Sequence, residues 1–468
     1  MSSLAFLAAA AGLLTGASGA AVDGFPGATA GPGYLHVPLS PPTQDALLRK
    51  RADVAGTTNL ELPNFGSFGY TIDISLGTPP QPLTVAVDTG SSELWVNPDC
   101  TKSSRAKNET IDGHVYVSVD GPITDPVECK KRGRYESSKS SSVSKADVDD
   151  RTISYLDETS AALSYVKDSI TIGSLKIDDQ IFGVAKTSQR TGIGIMGFGP
   201  GSFGFNNSGT YPLILTTMAR QKVIASPAFS MHLNHLDNKT GSVLFGGVDK
   251  KKYSGSLAKI PFITVEKKFS NGQSFQHTSY YVKVKGAKLA DKTLDVGGGD
   301  GFVASLDCGS GASLFPPALN KQICTTLNGT VQAGTDRCIV DCALRQRSGG
   351  LTISLDGKDI VQTFDNLIDE NVHQEVSTCS VMVSDGAESP YILGAPFIRS
   401  TYSVFDWGNG NLHIAQSADC GSNIVAIGSG PDAVPSGNGE CSSSLAVGTV
   451  VNSVLMFASA VLSGLFLL

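Results

Sequence analysis

Charge and tryptophan are both scarce in this sequence. Asp, Glu, Lys and Arg make up 17% of the 468 residues, too few for a coiled coil or a mostly disordered chain. Lys and Arg number 36 against 43 Asp and Glu, so a phosphate backbone meets no basic footprint and nucleic acid is not expected as a partner. The seven histidines form no His-Glu-x-x-His, and Gly-x-Ser-x-Gly and Cys-x-x-Cys are both missing. Zinc-peptidase and serine-hydrolase readings therefore have no support. Gly192-Ile193-Gly194-Ile195-Met196-Gly197 matches a dinucleotide fingerprint, but no Asp or Glu occurs from Phe198 to Leu236 to hold a ribose. No cofactor and no metal are expected.

Glycine is abundant instead: 52 glycines and 22 prolines favour short strands and turns over long helices. At Ile72, Ile74 and Leu76 apolar residues alternate with Thr71, Asp73 and Ser75 before Gly77-Thr78-Pro79-Pro80, which reads as a half-buried strand. The best helical candidates, 213–223 and 320–327, are short.

Both ends read as processing signals. Residues 4–14 are apolar and lead to Ala17-Ser18-Gly19-Ala20, so residues 1–20 are expected to be a secretory signal peptide. Lys50-Arg51 then closes a stretch, 21–51, read as a propeptide removed by a convertase that cuts after dibasic pairs. From 445 to 468 there is no charge, and no basic anchor follows. That resembles a removed GPI-attachment tail more than a transmembrane span. Ser442, with small residues after it, suits attachment better than Gly437 or Asn438, within a Ser/Gly-rich linker at 421–444.

Nine cysteines in such a chain point to disulfides. Local pairing joins Cys100 with Cys129, Cys324 with Cys338, Cys342 with Cys379 and Cys420 with Cys441, and leaves Cys308 over. Sequons at Asn108, Asn206, Asn238 and Asn328 fit secretory passage.

The chain also repeats itself. Val85-Ala86-Val87-Asp88-Thr89-Gly90-Ser91 and Val303-Ala304-Ser305-Leu306-Asp307-Cys308-Gly309-Ser310 are each an apolar strand ending in Asp-x-Gly-Ser. Ile195-Met196-Gly197 follows the first and Ile392-Leu393-Gly394 the second, so two related lobes are expected. Two carboxylates facing each other across a cleft cannot both ionise easily and hold one proton between them. Such a pair combines a general base that activates water with a general acid that protonates a carbonyl oxygen. Gly90 and Gly309 admit close backbone approach, and Ser91 and Ser310 are placed to orient the carboxylates.

These residues resemble the pepsin-like aspartic proteases, with further landmarks at Gly77-Thr78-Pro79-Pro80-Gln81, Leu94-Trp95-Val96, Ile153-Ser154-Tyr155 and Tyr391-Ile392-Leu393-Gly394. With the terminal signals, the likeness is greatest to fungal GPI-anchored yapsin-like endopeptidases. It implies an all-β, bilobal acid-protease fold, with an N-terminal lobe at 52–265, a C-terminal lobe at 266–420 and the cleft between them. It implies that Asp88 and Asp307 are the catalytic pair, and that Tyr155 lies on a flap with Trp95 as partner of its hydroxyl. Protein or peptide substrates, a monomer and a membrane anchored through GPI complete the expectation.

Three departures stand out. Cys308 replaces a Thr or Ser whose hydroxyl interlocks the two active-site loops, and losing one such bond costs about 1 kcal/mol. Gly311-Ala312 follow Ser310 where another hydroxyl residue is common, and Leu156-Asp157-Glu158 stand where the flap usually has glycine. They leave a second reading open, a catalytically impaired binding or structural protein of the cell wall on the same fold. Lys130-Lys131-Arg132 is a further candidate convertase site, or an uncut surface loop.

Overall fold

The alternation at Ile72, Ile74 and Leu76 folds as β1, Thr71–Leu76, with those three side chains buried. The computed structural model describes residues 70–101, 106–111, 114–119, 126–156, 159–173, 175–189, 191–200, 211–234, 241–268, 272–373 and 376–442, with short strands at 20–21, 29–31, 34–39 and 60–61. After a turn on Gly77, β2 (Gln81–Asp88) returns antiparallel to β1. Then come β3 (Leu94–Val96), β4 (Arg151–Ser154), β5 (Ser160–Ile172), β6 (Leu175–Gln189) and β7 (Gly194–Gly197). The order is β5-β6-β3-β7-β2-β1, and β5 also pairs with β1, so the sheet closes on itself.

The second half repeats this wiring with β8 (Tyr281–Val284), β9 (Phe302–Asp307), β10 (Ser313–Phe315), β11 (Val383–Asp385) and β12 (Tyr391–Gly394). In the first lobe β7 runs parallel to β2 and antiparallel to β3, with Gly197 opposite Asp88. In the second, β12 runs parallel to β9 and antiparallel to β10, with Gly394 opposite Asp307. The closing glycine has a steric cause. A Cβ on Gly197 would lie 2.6 Å from the Glu93 nitrogen, and one on Gly394 would lie 2.2 Å from the Ala312 carbonyl oxygen. Only glycine lets the chain after each Asp cross so closely.

A third sheet joins the halves. Its strands Tyr34–Leu39, Gly241–Phe245, Ala228–His232, Thr401–Asp406, Asn411–Ser417 and Tyr253–Pro261 are hydrogen-bonded in that order. The architecture is all-β and bilobal, and Val85, Val87, Leu306 and Leu393 lie in one continuous buried core. The expected helices form at Ile214–Arg220 and Pro317–Thr326; the second begins before residue 320 because proline suits a helix's first turn.

All four local disulfides are present, and Cys308 is free and buried. Residues 421–442, read as part of a linker, are instead docked. Ile424–Ala426 pairs with Gly247–Asp249, and Ile427, Ala433 and Val434 pack against Tyr253 and Tyr402. Three apolar side chains and the Cys420–Cys441 bond outweigh a Ser/Gly-rich composition. Ser442 follows, exposed. Within the stretch read as a propeptide, Tyr34–Leu39 pairs with Gly241–Phe245 in the third sheet. The signal peptide, the dibasic pair, Asn206, Asn238 and residues 443–468 lie outside the described residues. Asn328 is exposed and Asn108 falls in the strand Ala106–Ile111. No described helix is long and apolar enough to cross a membrane.

Candidate active site

Asp88 ends β2 and Asp307 ends β9, and the turn after each strand carries its carboxylate to the seam between the lobes. A Cβ on Gly90 would lie 2.4 Å from the Asp307 Cγ, and one on Gly309 would lie 2.5 Å from Asp88 Oδ1. Each glycine is thus packed against the opposite carboxylate, and the carboxylates hydrogen-bond one another.

Their donors differ. Asp88 accepts the Gly90 N–H at 2.8 Å and the Ser91 hydroxyl. The Asp307 carboxylate accepts the Gly309 N–H at 2.8 Å, while the Ser310 N–H donates to the Asp307 main-chain carbonyl at 3.3 Å. The Ser310 hydroxyl does not reach the carboxylate: it donates to the Ala312 carbonyl at 2.7 Å. This corrects the expectation for Ser310: the Ala312 carbonyl takes its hydroxyl, and the Gly309 N–H holds the Asp307 carboxylate instead.

Burial pushes both carboxyls above the usual range. For Asp307 the charge and hydrogen bond of Asp88 add to the rise, whereas the Ser91 hydroxyl opposes it at Asp88. The Ser91 hydroxyl thus favours the charged form of Asp88, a donor that the Ser310 hydroxyl does not supply to Asp307.

The two loops interlock beneath the pair. Thr89 Oγ1 donates to the Leu306 carbonyl and accepts the Cys308 N–H, both at 2.9 Å. The Cys308 thiol donates to the Val87 carbonyl at 3.5 Å. Burial, then the nearby Asp88 and Asp307 charges, push this thiol's pKa up, so it stays protonated. Cysteine thus fills the interlock with one weaker donor rather than leaving a gap.

Strands β4 and β5 form a hairpin from Arg151↔Leu163 to Ser154↔Ser160, and the Tyr155 N–H closes it on the Thr159 carbonyl at 2.9 Å. Trp95 Nε1 donates to the Tyr155 hydroxyl at 2.8 Å. Burial, then the Asp88 charge, raise the Tyr155 pKa, keeping its hydroxyl protonated beside the pair. Leu156 is 85% exposed at the tip, while Asp157 and Glu158 lie outside the described residues. Sequence reasoning passed over Glu93, whose carboxylate meets Arg151 and Tyr165 at the hairpin's base. Its one signal was a second charged side chain five residues after Asp88, between neutral neighbours. Among the described residues Cys342, Glu370 and Cys379 lie close enough to share a metal, but the two sulfurs are joined in a disulfide.

The family model for eukaryotic aspartyl protease matches residues 69–417, which span both lobes and both Asp loops. This chain belongs to the eukaryotic aspartyl protease family. Among relatives of this aspartyl protease, the probable aspartic-type endopeptidase opsB of Aspergillus oryzae is 31% identical over 411 residues, covering 85% of this chain and 78% of the relative. The acid protease of Saccharomycopsis fibuligera is 32% identical over 375 residues, 79% of this chain and 85% of the relative. The crystal structure of aspartic proteinase from Irpex lacteus superposes with a TM-score of 0.57 at 18% identity, covering 76% of this chain and 95% of that one. That likeness carries the fold alone.

Proposed function

We propose that the protein hydrolyses peptide bonds at acidic pH, with Asp88 and Asp307 as its catalytic pair. The observation that carries this is the packing of Gly90 on Asp307 and of Gly309 on Asp88, which holds two buried carboxylates in one hydrogen-bonded pair. Ionised Asp88 takes a proton from a water as that water attacks the peptide carbonyl. Protonated Asp307 gives its proton to the carbonyl oxygen, yielding a neutral tetrahedral intermediate. Asp88, now protonated, gives its proton to the amide nitrogen while ionised Asp307 takes one from a hydroxyl of the intermediate, so the C–N bond breaks, the new acid's C=O forms, and the pair returns to its starting protonation. Tyr155 and its hairpin close over the substrate, with Trp95 holding the hydroxyl.

The acid range follows from the pair, which works only while it holds a single proton. The relative named an acid protease supports the same range. Retention of the interlock at Cys308 favours an active enzyme over the impaired wall protein.

We also propose passage through the secretory pathway and GPI attachment at Ser442 on the outer membrane face. Four disulfides fit an oxidising compartment, and the uncharged run 445–468 fits a removed tail. Release from membranes by phosphatidylinositol-specific phospholipase tests the anchor; retention after treatment would exclude it.

Hydrolysis of an unfolded protein at about pH 4, with and without pepstatin, tests the chemistry when Asp88→Asn is assayed beside the parent. Parent turnover that pepstatin stops and the variant lacks is expected. Equal turnover by both would refute the pair, and an inactive parent freed of residues 21–51 would favour the wall protein.

A further inference from the structure

Glu93 lies five residues after Asp88, where the chain enters β3. Its carbonyl accepts the Gly197 N–H at 3.0 Å, which ties this main chain to the crossing that places Asp88. Its carboxylate meets the base of the flap. Oε2 accepts the Tyr165 hydroxyl at 2.5 Å, and Oε1 faces Arg151 Nη1 at 3.4 Å. Arg151 opens β4 and Tyr165 lies on β5, so one carboxylate contacts both strands of the hairpin. The Arg151 guanidinium also lies 5.4 Å from the Tyr165 ring centre, and Tyr211 packs on that ring at 5.6 Å.

The pair is mostly withdrawn from water, with 14% of the Glu93 and 19% of the Arg151 side chain exposed. Removing one member there leaves an unpaired, poorly hydrated charge, so the contact has a defined geometry that a surface pair lacks. Asp150, next to Arg151 in the chain, pairs with Lys186.

We infer that Glu93 is a positioning residue that fixes the base of the flap to the catalytic loop and so sets where Tyr155 stands above Asp88. The inference rests on the reading that Tyr155 closes over substrate. The tip must lift to admit a peptide, but the base need not. Anchoring Arg151 and Tyr165 confines that motion to the residues around Tyr155 and returns its hydroxyl to Trp95 on closure. Without the carboxylate, the Tyr165 hydroxyl and the guanidinium lose their shared acceptor, the hairpin tilts, and the Trp95–Tyr155 bond is made less often. An error of about 1 Å in such a group costs up to roughly a hundredfold in rate.

The chain has two tryptophans, so Trp407→Phe leaves Trp95 as the only indole. In that background Glu93→Ala and Glu93→Gln are compared with the parent in two ways. One is Trp95 emission of the free protein; the other is kcat and KM per active site titrated with pepstatin. Glu93→Ala is expected to red-shift the emission and lower kcat/KM about tenfold, mostly in kcat, with Glu93→Gln between because it still accepts from Tyr165. Parent emission and parent kcat per titrated site in Glu93→Ala would overturn the inference, whatever the loss of Tm. If Glu93→Ala yields no titratable site, Glu93→Gln decides by the same criteria. The emission reads the flap without turnover, so it stands apart from the Asp88→Asn assay, whose failure would sink the catalytic pair instead.

Discussion

The two Asp loops share one wiring diagram and differ in where their hydroxyls go. In the first, Thr89 bridges to the second lobe and Ser91 donates to Asp88. In the second, a thiol stands at the bridge and Ser310 donates to its own loop at Ala312. Backbone symmetry brings the carboxylates together, and side-chain asymmetry gives Asp88 a hydroxyl donor that Ser310 does not give Asp307. In the proposed mechanism that asymmetry separates the base from the acid, although both copies read Asp-x-Gly-Ser.

The bluntest way to break the comparison is to remove either carboxylate. Asp88→Asn and Asp307→Asn are each expected to lower kcat by about a thousandfold or more, because neither half works alone. A variant of either residue that kept most of its turnover would show that the pair does not act as one unit.

Next in size is an acid effect on stability that falls outside the pair. Burial, reinforced by Lys267, lowers the pKa of His277 to about 4, and burial lowers that of His232 to about 4 as well. Below the ordinary value near 6.5 the unfolded chain takes up the proton first, so stability falls as pH drops from 6.5 towards 4 and then levels. Each histidine contributes at most about 3 kcal/mol to that loss. Denaturant midpoints at several pH values measure it. His277→Gln should flatten the slope, and an unchanged slope would rule out this residue as a source.

How much of this was legible beforehand follows from which interactions are local. The Asp-x-Gly-Ser copies and their trailing Gly197 and Gly394 were readable because each glycine answers a steric demand that shows in sequence. The Trp95–Tyr155 contact was legible only through family likeness. The tie from Glu93 to Arg151 and Tyr165 spans 58 and 72 residues, and no local pattern announces it. A serine hydroxyl rotates freely, so Ser91 and Ser310 looked alike until their surroundings separated them. The docked tail was misread because Ser and Gly dominate its composition, while the three apolar residues that hold it are thinly spread.

The smallest effect concerns the bridge. Cys308→Thr replaces a thiol bond of 3.5 Å with a stronger hydroxyl donor, so stability should rise by no more than about 1 kcal/mol with activity equal or higher. Thermal unfolding and kcat measured together check this. A large loss of activity would mean that the thiol itself is required.

The claim that Asp88 ionises first because Ser91 donates to it is tested most directly by the pH profile of kcat/KM for Ser91→Ala beside Ser310→Ala. Ser91 favours the charged form, so its loss raises the Asp88 pKa. The acidic limb of a bell-shaped profile should then move up by about one to two pH units, the worth of a hydrogen bond to a charged group. Ser310→Ala should leave that limb in place, because its hydroxyl serves Ala312. Equal shifts in both variants, or none in either, would contradict the assignment of the proton to Asp307.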